Sequence, residues 1–329
     1  MLGARFIGWL TGFILIATLF AQNAHSSVER YSGFIKISTN RAVYVDYRRP
    51  APGKPLIVLL NGLTYQVSSW DTFVNNLYSI DPGVGVLRYD MMGQGKTLIK
   101  YAPITEPVPL ADQVRDLGLL LDALQIYHPV HLVSLSYGGA VAIPFATQQP
   151  ERVASVVLMA PFVAPLTFLD AWIRLQIHNT RLMFPTNPAS DDELYDYFLR
   201  LIVFSTYPAY EPVVLENPYK LEATYRLVQG SRKFLAKDYA HALPPGRVHL
   251  MVALQDQYIE RPVHDRFWEH VPQHARASRL YIDGSEHKIP EAIPSFSAKW
   301  VHRIINGDPQ LSSGRSFYGR VLDEKIVPL

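Results

Sequence analysis

The stretch Val130–Pro144, V-H-L-V-S-L-S-Y-G-G-A-V-A-I-P, holds the residue with the clearest chemical promise, Ser136. Val130–Val133 is an apolar run of strand length, Ser134–Gly139 is rich in small residues, and Ala140 onward continues without a breaker, as a helix begins. A serine on a sharp strand-to-helix turn has its hydroxyl pushed into the open, the context of a nucleophile elbow. The strand and helix nearly touch at such a turn, so the residues two before and two after must be small. Ser134 and Gly138 meet that need, with Ser134 standing where the usual G-x-S-x-G pattern has its first glycine. The helix N-terminus then aims backbone N–H groups and partial positive charge at an anion forming beside Ser136. A hydroxyl is a poor nucleophile until a base takes its proton, so a base and an acid must come from elsewhere in the chain.

The elements that must bring them are legible as alternating patterns. Gly33–Ser38 and Ala42–Arg48 alternate apolar and polar residues, as a hairpin does. Leu56–Leu60, Val84–Tyr89, Val130–Val133, Val153–Met159, Val248–Leu254 and Arg279–Ile282 read as strands. Trp70–Ser79, Ala111–Gln125 and Ala292–Ile305 read as helices. Alternating strands and helices predict an α/β fold, a mostly parallel twisted sheet with helices on both faces. Residues 31–160 and 246–306 form this core. Between them, 161–245 loses the alternation and carries helical patterns over Leu166–Ile177, Asp192–Phe204 and Leu221–Phe234. Pro185, Pro188, Pro208, Pro212 and Pro218 break the segment. It is too long for a loop and is expected to be a helical cap insertion over the sheet's C-terminal edge, with a separate helical domain as the alternative. Residues 307–329 read as a weakly structured C-terminal tail.

A parallel sheet binds ligands beyond the C-terminal ends of its strands. Ser136, Asn61-Gly62-Leu63, Asp256 and His287 each follow a strand, and serine, acid and histidine come in that chain order. On these residues the chain resembles the α/β-hydrolase superfamily, in the subgroup with a helical cap. The resemblance implies Ser136 as nucleophile, Asp256 as the acid of a triad and His287 as its base. It also implies the backbone N–H groups of Leu63 and Tyr137 as the oxyanion hole. Asp90-x-x-Gly93-x-Gly95 matches a further superfamily hallmark, a structural turn. Where relatives usually have His-Gly this chain has Asn61-Gly62, which leaves the shape of the hole and the substrate preference open. The implied activity is hydrolysis of carboxylic esters, in the manner of esterases and lipases, through an acyl-enzyme. Amide or peptide hydrolysis and C–C bond hydrolysis use the same triad and stand as alternatives, as does a non-catalytic binder on the same fold. A serine nucleophile argues against dehalogenase or epoxide hydrolase chemistry, where relatives place Asp.

Composition narrows the partners. A net charge of +2 over 329 residues gives no reason to expect nucleic acid. Zero cysteines remove disulfides, thiolate catalysis and cysteine metal sites. No cofactor and no metal is expected. Gly93-Gln94-Gly95-Lys96-Thr97 looks like the end of a phosphate loop, but Asp90 stands where the earlier glycine belongs and would repel phosphate. Of the other histidines, His249 reads as a core residue, His128 and His131 fall at the wrong sheet edge, and His270 and His274 as surface residues. His178 and His241 lie in or beside the insertion. The aromatic residues Phe168, Trp172, Phe184, Tyr195, Tyr197, Phe198 and Tyr207 are expected to be mostly core, with some facing a small-molecule or lipid-like ester. Residues 1–26 read as a signal peptide: Arg5, the apolar run Phe6–Ala21, then Ala24-His25-Ser26 as a cleavage site. The run is shorter than the ~20 residues that span a bilayer. An uncleaved anchor, associating the protein with a membrane, is the alternative. Either predicts an exported protein, periplasmic or secreted.

Overall fold

The computed structural model describes residues 29–206, 217–312 and 314–329. The leader expected over residues 1–26 lies outside the described residues, as do Tyr207, Pro208 and Pro212 of the insertion.

Strand β3 (Leu56–Leu60) shows why its sequence is apolar throughout: every residue is buried. Successive side chains point to opposite faces of a strand. Leu56, Val58 and Leu60 therefore join one hydrophobic layer and Ile57 and Leu59 the other. Strands β5 (Val130–Leu135) and β6 (Val153–Met159) alternate in the same way, buried except for the partly exposed His131 and Ala154. Helices α3 (Leu110–Ala123) and α4 (Tyr137–Gln148) cover the first face, with Val114, Leu117, Leu121, Val141 and Phe145 buried. Helices α1 (Asp71–Ile80) and α11 (Pro294–Ile305) cover the second, with Phe73, Leu77, Trp300 and Ile304.

The hairpin β1 (Arg30–Ser38) and β2 (Arg41–Arg48) pairs antiparallel with β4 (Gly85–Asp90). Strands β7 (Val248–Ala253) and β8 (Arg276–Asp283) extend the sheet on the other side. With β9 (Arg315–Arg320) and β10 (Lys325–Pro328) at the far end, the full order is β1-β2-β4-β3-β5-β6-β7-β8-β9-β10, parallel from β4 through β9.

The expected weakly structured tail is corrected here. Arg315–Arg320 forms β9, parallel to β8, and Lys325–Pro328 forms β10, antiparallel to β9. Phe317 supplies the anchor, buried against Trp300 with ring centroids 5.3 Å apart. In so short a strand inward positions come only at alternate residues, and Phe317 is its one large buried apolar side chain, so the pattern is weak in sequence.

Between β6 and β7 run α5 (Thr167–Met183), α6 (Asp191–Thr206), α7 (Lys220–Ser231) and the single turn α8 (Lys237–Ala240). The first three share a small apolar cluster of Ile173, Leu199, Val203 and Tyr225, while Ala240 of α8 packs into the main core. Helix α7 meets the core closely: the Val108 N–H donates to Arg226 O at 3.1 Å, and Leu227 packs under Gly93. The expectation of mostly buried aromatics is corrected for four of them. Phe168 is 84% exposed, and Trp172, Phe184 and Tyr197 are exposed as well, because a cluster this small covers one side of each helix only. Among the described residues, no helix is long and apolar enough to cross a membrane.

Candidate active site

Ser136 leaves β5 with φ 47° and ψ −113°, a left-handed conformation that a non-glycine residue holds only when its surroundings impose it, at a cost of roughly 1–3 kcal/mol. Those surroundings are explicit. Its N–H donates to Met159 O at 3.0 Å, and its carbonyl accepts from the N–H groups of Gly139 at 2.8 Å and Phe162 at 2.9 Å. The two glycines that follow are steric necessities. A Cβ on Gly138 would lie 2.4 Å from Leu60 O, and one on Gly139 2.7 Å from Pro161 Cβ. Ser134 is fully buried and its hydroxyl donates to Val157 O, so its role lies within the sheet. Tyr137 opens α4, so its N–H belongs to the helix's first turn, free of intrahelical partners. Leu63 is half-buried in the loop after β3.

Asp256 and His287 are brought together. His287 Nδ1 lies 2.7 Å from Asp256 Oδ2, and both side chains are shielded, Asp256 with only 1% of its side chain exposed. Burial disfavours ionisation of Asp256. The hydrogen bond from His287 and the N–H groups of Ile259 and Tyr258 outweigh it and hold the carboxyl below the usual carboxylate range. Tyr258 packs edge-on against the His287 ring at 5.1 Å. Residues 254–256 follow β7 and residues 284–287 follow β8, so both groups stand at the same sheet edge as Ser136.

On the other flank of Ser136, Asn61 is fully buried. Its Nδ2 donates to Tyr89 O at 3.0 Å and Gln94 Oε1 at 3.1 Å, and its Oδ1 accepts from Trp70 Nε1 at 2.8 Å. Asp90 accepts from the N–H groups of Val67 and Lys96, both at 2.7 Å, and burial pushes it up to about 6 against those bonds. A Cβ on Gly95 would lie 2.3 Å from this carboxyl, so the Gly93–Thr97 turn wraps a carboxylate rather than a phosphate.

Sequence reasoning overlooked two neighbours. His264, on α9 (Arg261–His270), is fully buried with Nε2 donating to Pro161 O at 3.1 Å, and burial lowers it to about 4 despite nearby Asp256. Gln94 contacts the loop that carries Leu63. No spacing signals either, since each reaches its partner across tens of residues. His178 and His241 are exposed. Among the described residues, no group of three or more His, Cys, Asp or Glu is arranged to hold a metal.

A ten-stranded sheet, a strained serine after its fifth strand and a buried Asp–His pair define an α/β-hydrolase architecture. Residues 57–294 match the model of the alpha/beta hydrolase family, and the chain belongs to that family. It is similar to the lipase LipV of Mycobacterium tuberculosis, 33% identical over 118 residues, or 36% of this chain and 41% of that protein. It is also similar to the 2-hydroxy-6-oxo-6-phenylhexa-2,4-dienoate hydrolase of Comamonas testosteroni, 30% identical over 133 residues, or 40% and 45% of the two chains. The chain spans less than half the length of the curated relatives it matches. Among solved structures, an alpha/beta hydrolase enzyme from a Medee basin deep-sea metagenome library superposes with a TM-score of 0.61. It is 22% identical, and the match covers 83% of this chain and 97% of that one, a likeness of fold.

Proposed function

We propose that the protein is a serine hydrolase that cleaves carboxylic esters, with Ser136 as nucleophile, His287 as general base and acid, and Asp256 as the group that orients and stabilises the imidazole. The observation that carries this is the 2.7 Å contact between His287 Nδ1 and the buried Asp256 carboxylate. That contact fixes the proton on Nδ1 and leaves Nε2 as the basic nitrogen. His287 Nε2 takes the Ser136 proton as Oγ attacks the ester carbonyl carbon. The tetrahedral oxyanion accepts hydrogen bonds from the N–H groups of Leu63 and Tyr137. Collapse expels the alcohol, which receives the proton from His287, and water then repeats the sequence on the acyl-enzyme. Each oxyanion donor contributes roughly 10²–10³ in rate. An ester is the more reactive acyl donor for this site because an alkoxide leaves more readily than an amine anion, and LipV, a relative of the chain, is named a lipase. The apolar run Phe6–Ala21 supports export of the protein.

A fluorophosphonate probe tests the nucleophile: it labels the wild type, labelling is lost in Ser136→Ala, and no labelling of the folded wild type would overturn the proposal. A panel of p-nitrophenyl esters run beside aminoacyl-arylamides tests the bond type, with faster turnover expected on esters.

A further inference from the structure

The residues that hold the loop carrying Leu63 form one directional chain of hydrogen bonds, and we propose that Gln94 is a positioning residue that aims the Leu63 N–H at the oxyanion. The inference rests on the serine hydrolase function proposed above.

Direction is set at Trp70. An indole N–H can only donate, so Asn61 must turn its Oδ1 toward Trp70 Nε1, 2.8 Å away. That leaves Asn61 Nδ2 as donor to Tyr89 O and to Gln94 Oε1. With its oxygen so engaged, Gln94 must present Nε2 to the opposite side, where it donates to Gly62 O at 2.8 Å and Leu63 O at 3.2 Å. All three side chains are almost wholly buried, so neither amide can flip without stranding a polar group away from water, at roughly 1–3 kcal/mol per group.

Peptide geometry converts this grip into aim. The Gly62 carbonyl and the Leu63 N–H share one planar trans unit and point in opposite directions. Drawing Gly62 O toward Gln94 therefore turns the Leu63 N–H to the other side of the loop. The Tyr65 N–H also donates to Gly62 O, at 3.1 Å, which closes the turn locally. Gln94 adds the tie between that turn and the core. Further along, the N–H of Val67 donates to Asp90 and its carbonyl accepts from Arg88 Nη1, so the loop is pinned at both ends to β4 and the turn after it. Gly62 itself leaves little room to shift, since a Cβ there would lie 3.2 Å from Leu135 Cδ2.

The test is a kinetic split. Gln94→Leu keeps the volume and removes the donor. It should lower kcat about 10- to 100-fold, less than loss of a whole oxyanion donor, with KM within about threefold. Affinity for an alkyl boronic acid, which forms a tetrahedral adduct on the serine, should fall in step with kcat. Gln94→Glu, nearly isosteric, places a carboxylate against two carbonyl oxygens. It should be the slower variant at pH 8 and recover relative to wild type toward pH 6, where a protonated carboxyl can donate again, while Gln94→Leu shows no such recovery. Thermal melts report whether each variant folds, and if Gln94→Leu does not, Gln94→Glu carries the test alone through its pH profile. An active wild type with a folded Gln94→Leu of unchanged kcat, or a Gln94→Glu whose kcat follows the wild-type pH profile, sinks the positioning role and leaves the hydrolase function standing. A wild type that neither labels nor turns over esters takes both down together.

Discussion

Histidines stand at both ends of this sheet, and their partners set them apart. At the C-terminal edge, His287 Nδ1 meets the Asp256 carboxylate at 2.7 Å. Toward the opposite edge, His131 near the start of β5 and His249 near the start of β7 each place Nδ1 2.8 Å from a serine hydroxyl, Ser155 and Ser278 on the neighbouring strands. A carboxylate stabilises an imidazolium; a neutral hydroxyl does not compensate for taking a charge out of water. Burial accordingly lowers His131 to about 4 and His249 to about 3, and both stay neutral at physiological pH. At one end a carboxylate faces an imidazole ring; at the other, hydroxyls face two histidines that burial keeps uncharged. The residue type is the same; burial beside a charge or beside a dipole decides what it can do.

The largest effect that can break this contrast is on catalysis. Asp256→Asn keeps the shape and removes the charge, so the imidazolium loses its counter-ion and the tautomer its orientation. In triads such a change lowers kcat by roughly 10⁴. His249→Gln, at the other end, should leave kcat on a p-nitrophenyl ester within about twofold. A folded His249→Gln with abolished turnover, or a fully active Asp256→Asn, would show that the two ends are not divided in this way.

Stability against pH gives the next effect. The folded values of His131 and His249 lie below the ordinary histidine value near 6.5, so the unfolded chain binds protons first as pH falls. Their stabilisation is fully present above about 6.5 and is lost as pH falls from there toward 4, at about 1.4 kcal/mol per pH unit for each group. Asp90 works against them: its value, raised to about 6, lets the folded state bind a proton first, which favours the fold as pH falls through 6 toward 4. His264, likewise lowered by burial to about 4, adds a third group to His131 and His249, and three histidines outweigh one carboxyl, so the urea midpoint should drop between pH 7 and pH 4.5. His249→Gln should flatten that slope by about half. An unchanged slope in the variant would mean that His249 does not hold the proton balance.

Much of this division was legible in the sequence, for reasons that are local. The run Val130–Val133 followed by small residues and a helical start is a pattern within fifteen residues, and it appears as β5, the Ser136 turn and α4. Asp256 and His287 stood out because each follows an apolar strand run. What stayed hidden depends on partners far away in the chain. Gln94 reaches Gly62 across 32 residues. His264 reaches Pro161 across 103. Strands β9 and β10 are visible only once β8 offers an open edge to pair with. The exposed side chains of Phe168, Trp172 and Tyr197 were equally hidden, since aromatic residues at helical spacing look the same whether or not a neighbour covers them.

The smallest expected effect sharpens the contrast within a single strand. Ser134 and Ser136 are two residues apart in the same small-residue stretch, one inside the sheet and one just beyond it. Ser134 is fully buried, and its hydroxyl makes a long 3.3 Å bond to Val157 O. Removing it deletes one weak bond, leaves a carbonyl that still has its ladder partner, and opens space for less than one methyl group. Such a bond contributes about 0.5–1.5 kcal/mol. Ser134→Ala should therefore lower the melting temperature by only a few degrees and keep both fluorophosphonate labelling and kcat within about threefold of wild type. Loss of labelling in a folded Ser134→Ala, with labelling retained in Ser136→Ala, would transfer the nucleophile to the residue inside the sheet and undo the argument that position at the strand's end is what frees a side chain to react.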